Sequence, residues 1–139
     1  MIAPASKPIL VIGLGCRRGC PLASLRELID SSLERVGLDI QAVTALASID
    51  LKSTEPGLIE LSETLGVPFV LFSAEELSGV EGRLSHRSQA SFEATGCYGV
   101  AESAALMLAS RLSDAPARLA ITREKNSHAT FALAERVPL

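Results

Sequence analysis

Residues 11–21 read VIGLGCRRGCP and hold the densest chemistry in the chain. An apolar run enters a glycine-flanked turn, two arginines follow, and Pro21 opens an amphipathic segment. This pattern predicts a buried strand, a tight loop and a helix N-terminus. The start of a helix carries unpaired N–H groups and a partial positive charge. Arg17 and Arg18 add two full charges, so the expected ligand group is a carboxylate or a phosphate.

Other polar residues stand at comparable places. In an open α/β sheet, ligands sit outside the carboxyl ends of the strands. Three unusual loops follow predicted strands: residues 15–20, residues 50–57 and the region of Ser73. A turn at residues 95–102 precedes a further helix. Convergence of these segments would place Gly15, Cys16, Arg17, Arg18, Gly19, Asp50, Lys52, Ser73 and Gly99 on a ligand. If the protein were a hydrolase, Asp50, Glu55 or Glu102 would polarise water and Arg17 or Arg18 would stabilise an oxyanion. The plainer alternative has glycines that only shape turns, helix-capping Asp50 and Glu55, and arginines that are solvated or paired with Glu27 and Asp30.

Several chemistries are poorly served. Gly13-Leu14-Gly15 is followed by Gly19, so the dinucleotide fingerprint fails, and no GxxxxGK[ST] loop is present. Cys16 and Cys20 are four apart, with Cys97, His86 and His128 distant in sequence, which is poor spacing for zinc. Neither a metal site nor a cofactor is expected. The three thiols are expected to be unlinked. Cys16 beside Arg17 is a conceivable nucleophile, because nearby positive charge lowers a thiol pKa. No His or Asp stands at a spacing that suggests a triad, and both histidines read as surface or packing residues.

The elements that must position these residues alternate. Residues 8–14, 43–49 and 68–72 read as buried strands. Leu22, Leu25, Ile29, Leu33 and Val36 mark one helical face that stops at Gly37. Leu58, Leu61 and Leu65 mark a second helix, with Pro56 in its first turn and Ser53 or Thr54 as its cap. Ser73 and Glu76 predict a capping box, stapled by Phe72 and Leu77. Residues 81–94 read as a mobile loop with one helical turn. A helix over residues 100–112 follows, then a strand at 118–122, a turn at 125–128 and a last strand at 130–134. The expected fold is α/β: three layers, α/β/α, around a mixed and mostly parallel sheet that ends in an antiparallel hairpin. Residues 1–7 read as a flexible tail and 8–139 as one domain.

Composition sets limits. The 139 residues are 47% hydrophobic and 21% charged, enough for one domain with a sizeable core. A net charge of -3 argues against nucleic-acid binding through bulk positive charge, so an anionic partner must be held locally. The longest apolar run, residues 9–14, is too short to span a membrane, and residues 1–7 lack the apolar stretch of a signal peptide. The expected compartment is the cytoplasm, with no membrane partner.

Five blocks in order carry a resemblance: GLGCRRG at 13–19, ASIDLK at 47–52, EPGL at 55–58, FSAEEL at 72–77 and GVAESAAL at 99–106. Together they resemble the CobE / CbiG C-terminal domain family of cobalamin biosynthesis. Gly99 stands where that family commonly has Ser, which weakens a capping box with Glu102. The length resembles the free-standing CobE form rather than the larger cobalt-precorrin-5A hydrolase, which opens a ring lactone and releases a two-carbon fragment. The resemblance implies a precorrin-type tetrapyrrole as ligand, an apolar ring fringed with acetate and propionate carboxylates. Arg17, Arg18 and Lys52 suit that fringe, with Arg87, Arg123 and Lys125 as weaker additions. The alternatives it implies are a hydrolase of a precorrin-5A-like lactone and a module that docks onto another corrin-pathway enzyme.

Overall fold

The structure is a computed structural model and describes residues 8–136. The tail expected at residues 1–7 lies outside the described residues.

The apolar strand Ile9–Cys16 (β1) forms the centre of a five-stranded sheet. Its side chains alternate between faces, as strand geometry requires. Leu10, Ile12 and Leu14 enter one core with Leu25, Ile29 and Leu33 of α1 (Leu22–Arg35) and Leu58 and Leu61 of α2 (Pro56–Leu65). Val11 enters the other, with Leu77 of α3 (Ala74–Ser78) and Val100, Ala104, Ala105 and Leu108 of α5 (Val100–Ser113). The sheet is therefore covered on both faces. A Cβ on Gly13 would stand 1.8 Å from the Ala101 carbonyl oxygen. Only glycine lets α5 lie directly on the β1 backbone, and the small residues of α5 complete that close approach.

The sheet order is β3-β2-β1-β5-β4. β2 (Ala45–Ile49) pairs parallel with β1, and β3 (Phe69–Phe72) pairs parallel with β2. β5 (Ala129–Arg136) runs antiparallel to β1, with Ile12 opposite Leu133, and antiparallel to β4 (Arg118–Lys125). β4 thus runs the same way as β1. The carboxyl ends of β1, β2 and β4 share one end of the sheet, together with the start of β5. Consecutive strands step to one side of β1 and the chain then crosses to the other, so β1 marks the topological switch.

The sheet and the α/β/α layering follow the sequence expectation, and so does the Ser73–Glu76 capping box. Four local expectations need correction. Neither Ser53 nor Thr54 caps α2; Glu55 occupies the cap position without a side-chain cap bond. Glu102 forms no capping box with Gly99, which has no side chain to offer. Residues 81–94 are more structured than a loop. They hold a 3-10 turn, Glu81–Arg83, and most of α4 (Gln89–Thr95), which Ser88 caps and a left-handed Gly96 closes. β4 and β5 also run longer than expected, because each hydrogen bonds along most of its partner.

Among the described residues, no helix is long and apolar enough to cross a membrane.

Candidate functional site

A cavity of about 590 Å³ opens at the carboxyl ends of β1, β2 and β4. That is within the roughly 300–1,000 Å³ range of small-molecule sites. Its first wall is the loop after β1, with Gly15, Cys16, Arg17 and Arg18, joined by Ile49 and Lys52 from the end of β2 and the turn beyond it. The opposite wall is the β4–β5 hairpin, with Arg123, Lys125, Asn126, His128 and Thr130. The start of α5, residues 99–102, forms the floor, and Ser88, Ser91, Thr95 and Tyr98 close the remaining side.

Local bonding explains why these segments meet. The Arg17 N–H donates to the His128 carbonyl at 2.8 Å, joining the two walls. The hairpin turn is built on Asn126, whose side-chain oxygen accepts the N–H groups of His128 and Ala129, both at 2.9 Å. Its amide nitrogen donates to the Ser24 carbonyl at 3.0 Å, tying the hairpin to α1. On the α4 side, Tyr98 stacks on Phe92 with ring centroids 4.4 Å apart, and the Arg87 guanidinium lies over its ring at 4.4 Å. Arg87 is in turn paired with Glu81 at 2.7 Å.

Arg17, Arg18, Lys52, Arg123 and Lys125 all line the cavity, and none makes an ion pair among the described residues. Arg26, Arg35, Arg87, Arg111 and Arg118, which lie outside it, each pair with a carboxylate. The first N–H groups of α5 add donors on the cavity floor, since Gly99 brings no side chain to cap them. The lining is therefore rich in positive charge and N–H donors, with apolar patches from Ile49, Val100, Ala101 and Ala129. It suits an anionic ligand with a large apolar body.

Of the residues named from sequence, Gly15, Cys16, Arg17, Arg18, Lys52, Gly99 and Glu102 line this cavity. Gly19, Asp50, Glu55 and Ser73 are not among its lining. Ser73 is occupied as the cap of α3. Asp50 is exposed at the start of a 3-10 turn. Glu55 is buried, and its carboxylate accepts the Gly19 N–H at 2.7 Å, so it holds the arginine loop from behind. The helix start that faces the cavity belongs to α5, not to α1, because a turn at residues 17–20 sets α1 back from the opening. The arginines do not pair with Glu27 or Asp30; Asp30 pairs with Arg26.

Cys16 borders the cavity, but burial pushes its thiol up to about 12. Lys52 acts in the lowering direction and is outweighed by that desolvation. Burial thus works against the activation that the neighbouring arginine would give. All three cysteines are free. No group of three or more His, Cys, Asp or Glu among the described residues is placed to hold a metal ion.

Sequence reasoning named the turn at residues 95–102, which brings Thr95 and Tyr98 to the cavity, but missed His86, Ser88 and Ser91. It also passed over His128 as a site residue. The signals were weak, because serines and a histidine in an aperiodic stretch identify no ligand until the chain is seen to return over α5.

Residues 10–134 match the family described as "Cobalamin synthesis G C-terminus", and the chain belongs to that family. It is 35% identical over 125 residues to Protein CobE of Sinorhizobium sp, covering 90% of this chain and 79% of that protein. It is 32% identical to Cobalt-precorrin-5A hydrolase of Priestia megaterium over 91% of this chain, yet spans only 32% of the hydrolase's length. The fold is similar to the crystal structure of CobE, a protein of the cobalamin biosynthetic pathway. The TM-score is 0.93 and the identity 37%, over 99% of this chain and 97% of that one. The resemblance read from the sequence blocks is thereby borne out, and the protein is one of cobalamin biosynthesis.

Proposed function

We propose that the cavity binds a precorrin-type tetrapyrrole by its peripheral carboxylates, and that the protein holds or hands over that intermediate in the cytoplasm. One observation carries the reading: five cations without carboxylate partners surround a single cavity, while five paired ones lie outside it. A cation kept without a local counter-ion is a site for an anion from outside. Two opposed walls of charge suit a ligand with carboxylates on more than one edge. The apolar patches between them suit the face of a macrocycle. The relatives' names supply the substrate class, cobalt-precorrin-5A for the hydrolases.

Binding is favoured over hydrolysis by the carboxylates named from sequence. Asp50 and Glu55 stand outside the lining, and Glu102 is saturated with hydrogen bonds. None of the three is placed to take a proton from water. Docking onto another corrin-pathway enzyme remains the alternative for the exposed remainder of the surface.

The test is a spectroscopic titration with a panel of precorrins at low salt, followed by mass analysis of the products. Saturable, stoichiometric binding of at least one member supports the reading. A panel that leaves the spectrum unchanged removes it.

A further inference from the structure

At the open end of the sheet, three paired residues form a rung that faces the cavity. Gly15 of β1 lies opposite Thr130 of β5, and Thr130 lies opposite Lys125 of β4. Directly opposed residues of antiparallel strands share a face. The flanking Ala129 and Phe131 belong to the core beneath α1, and Glu124 pairs with Arg35 of α1. Thr130 and Lys125 therefore face the other way, toward the α5 side. One rung back along that face, Gly13 is covered by the backbone of Ala101 and Ala105. α5 begins at Val100, whose Cβ would stand 3.7 Å from a Cβ on Gly15, so the helix reaches this rung with its first residue and goes no further. All three residues of the rung line the cavity.

The missing side chain of Gly15 locates the Thr130 hydroxyl. Thr130 Oγ1 lies 2.7 Å from where a Gly15 Cβ would stand, closer than real Cβ contacts come. Thr130 thus leans across β1 into space that only glycine leaves. Among the described residues that hydroxyl has no hydrogen-bond partner. A hydroxyl carries one donor hydrogen and two acceptor pairs, and here all of them are open to a ligand. Gly15 is buried and Thr130 half-buried, whereas Arg17, Arg18 and Lys125 are exposed. The rung therefore runs from an outer ammonium, through a sheltered hydroxyl, to bare backbone beside Val100.

We propose that this rung is the subsite for one carboxylate arm of the bound tetrapyrrole. The arm's methylene carbons lie over Gly15 beside Val100, the Thr130 hydroxyl donates to its carboxylate, and Lys125 supplies the opposite charge. The inference rests on the tetrapyrrole-binding reading and adds the residues that fix which way round the ring sits. Lysine and arginine carry their charges on long stems that follow a carboxylate over several ångströms, so the exposed cations select charge more than position. Threonine is stiff at χ1, and its hydroxyl reaches one place only. A few placed polar groups of this kind set the orientation of a ligand in an otherwise apolar cavity. Gly15 sets the width of the subsite, because an added methyl fills the space of the arm and pushes the hydroxyl aside.

The test titrates the full chain with uroporphyrin, a stable tetrapyrrole that carries an acetate and a propionate on every pyrrole ring, and follows its absorbance. The parent is expected to bind saturably. Thr130→Val keeps the shape and the strand preference but loses the donor, and should bind about tenfold more weakly, the lower end for a hydrogen bond to a charged group. That loss should be the same at low and high salt, whereas the loss in Lys125→Met should shrink as salt is added. Thr130→Ser, which keeps the hydroxyl, should bind within about threefold of the parent. Gly15→Ala should lose at least as much as Thr130→Val, and the two changes together should lose no more than Gly15→Ala alone, because both remove one contact. Parental affinity in Thr130→Val, or equal losses in Thr130→Val and Thr130→Ser, overturns the subsite and leaves the binding reading to the cations. A parent that does not bind uroporphyrin removes both, since both rest on carboxylates set around an apolar ring.

Discussion

The Glu55 carboxylate reaches back to accept the backbone N–H of Gly19 at 2.7 Å. It joins the start of α2 to the loop that carries Arg17 and Arg18. Gly57 reinforces the junction, since a Cβ there would stand 2.5 Å from the Cys20 carbonyl oxygen. The arginine loop is held from behind by a buried acid, and its charges face outward.

Glu55→Ala should therefore lower both stability and ligand affinity. A hydrogen bond to a charged group is worth about 1.5–3 kcal/mol, and the loss should fall in that range by denaturant unfolding. Glu55→Gln, which keeps an acceptor oxygen, should recover much of it. Unchanged unfolding and binding in Glu55→Ala would show that the loop holds itself.

The cavity cations should act together. Each charge-assisted contact is worth about 1.5–3 kcal/mol when sheltered and well under about 1 kcal/mol when exposed. The triple variant Arg17→Ala, Arg18→Ala, Lys52→Ala and the double variant Arg123→Ala, Lys125→Ala should each weaken tetrapyrrole binding. Each should also flatten its dependence on salt. Arg26→Ala, which removes a cation paired with Asp30 outside the cavity, should bind as the parent does. A triple variant that folds and binds with parental affinity and salt slope would rule out this wall.

Gly13→Ala should be among the most damaging single-methyl additions in the protein. The new Cβ would meet the Ala101 carbonyl, so α5 must lift from the sheet. The expected loss is about 3 kcal/mol or more, at the upper end of overpacking effects. Because α5 forms the cavity floor, binding should fall as well. Thermal unfolding and titration read the two effects separately.

The Cys16 thiol should react slowly with alkylating reagents at neutral pH. Burial raises it to about 12, so thiolate is scarce until strongly alkaline solution. The rate should climb through the whole range from pH 7 to pH 10 with no plateau. A plateau near neutrality would mean that the lining cations activate the thiol.

Glu76 supplies a test at acid pH. Its carboxyl is held low, first by the Ser73 backbone N–H and then by Arg111. A carboxyl depressed on folding stabilises the fold above its unfolded value, near about 4.3, and that stabilisation disappears as pH falls through the folded value. The stability gap between the parent and Glu76→Gln should therefore be present at neutral pH and close below about pH 4. A gap independent of pH would argue that the glutamate acts by packing alone.

Strands and long helices were legible because burial imposes a period. Leu10, Ile12 and Leu14 alternate with Val11, and Leu25, Ile29 and Leu33 repeat at helical spacing. Ser73 and Glu76 were legible because a capping box is a purely local device. α4 was not, since its two turns bury no residue fully and depend on the Ser88 cap and the Phe92–Tyr98 stack. The site was half legible. Arg17, Arg18 and Lys52 follow consecutive parallel strands, whose shared direction the alternation implies. Arg123 and Lys125 join them only because β4 runs parallel to β1 from across β5, an arrangement that depends on strand order. His86 depends on a return of the chain over α5, which no spacing records.

β5 lies between β1 and β4 and hydrogen bonds along both, so the pairing of Ile9 with Arg136 closes the sheet across nearly all of the described chain. Until that strand has been synthesised, β1 presents an unpaired edge flanked by Leu10, Ile12 and Leu14. Such an edge invites pairing with another chain. The order of synthesis leaves the cavity incomplete until β5 has been made, since one of its walls is the hairpin that β5 completes. Contacts so distant in sequence form slowly. A newborn chain is thus exposed to aggregation for as long as the cavity is incomplete, and a ligand of that cavity would stabilise only molecules that have already inserted the strand.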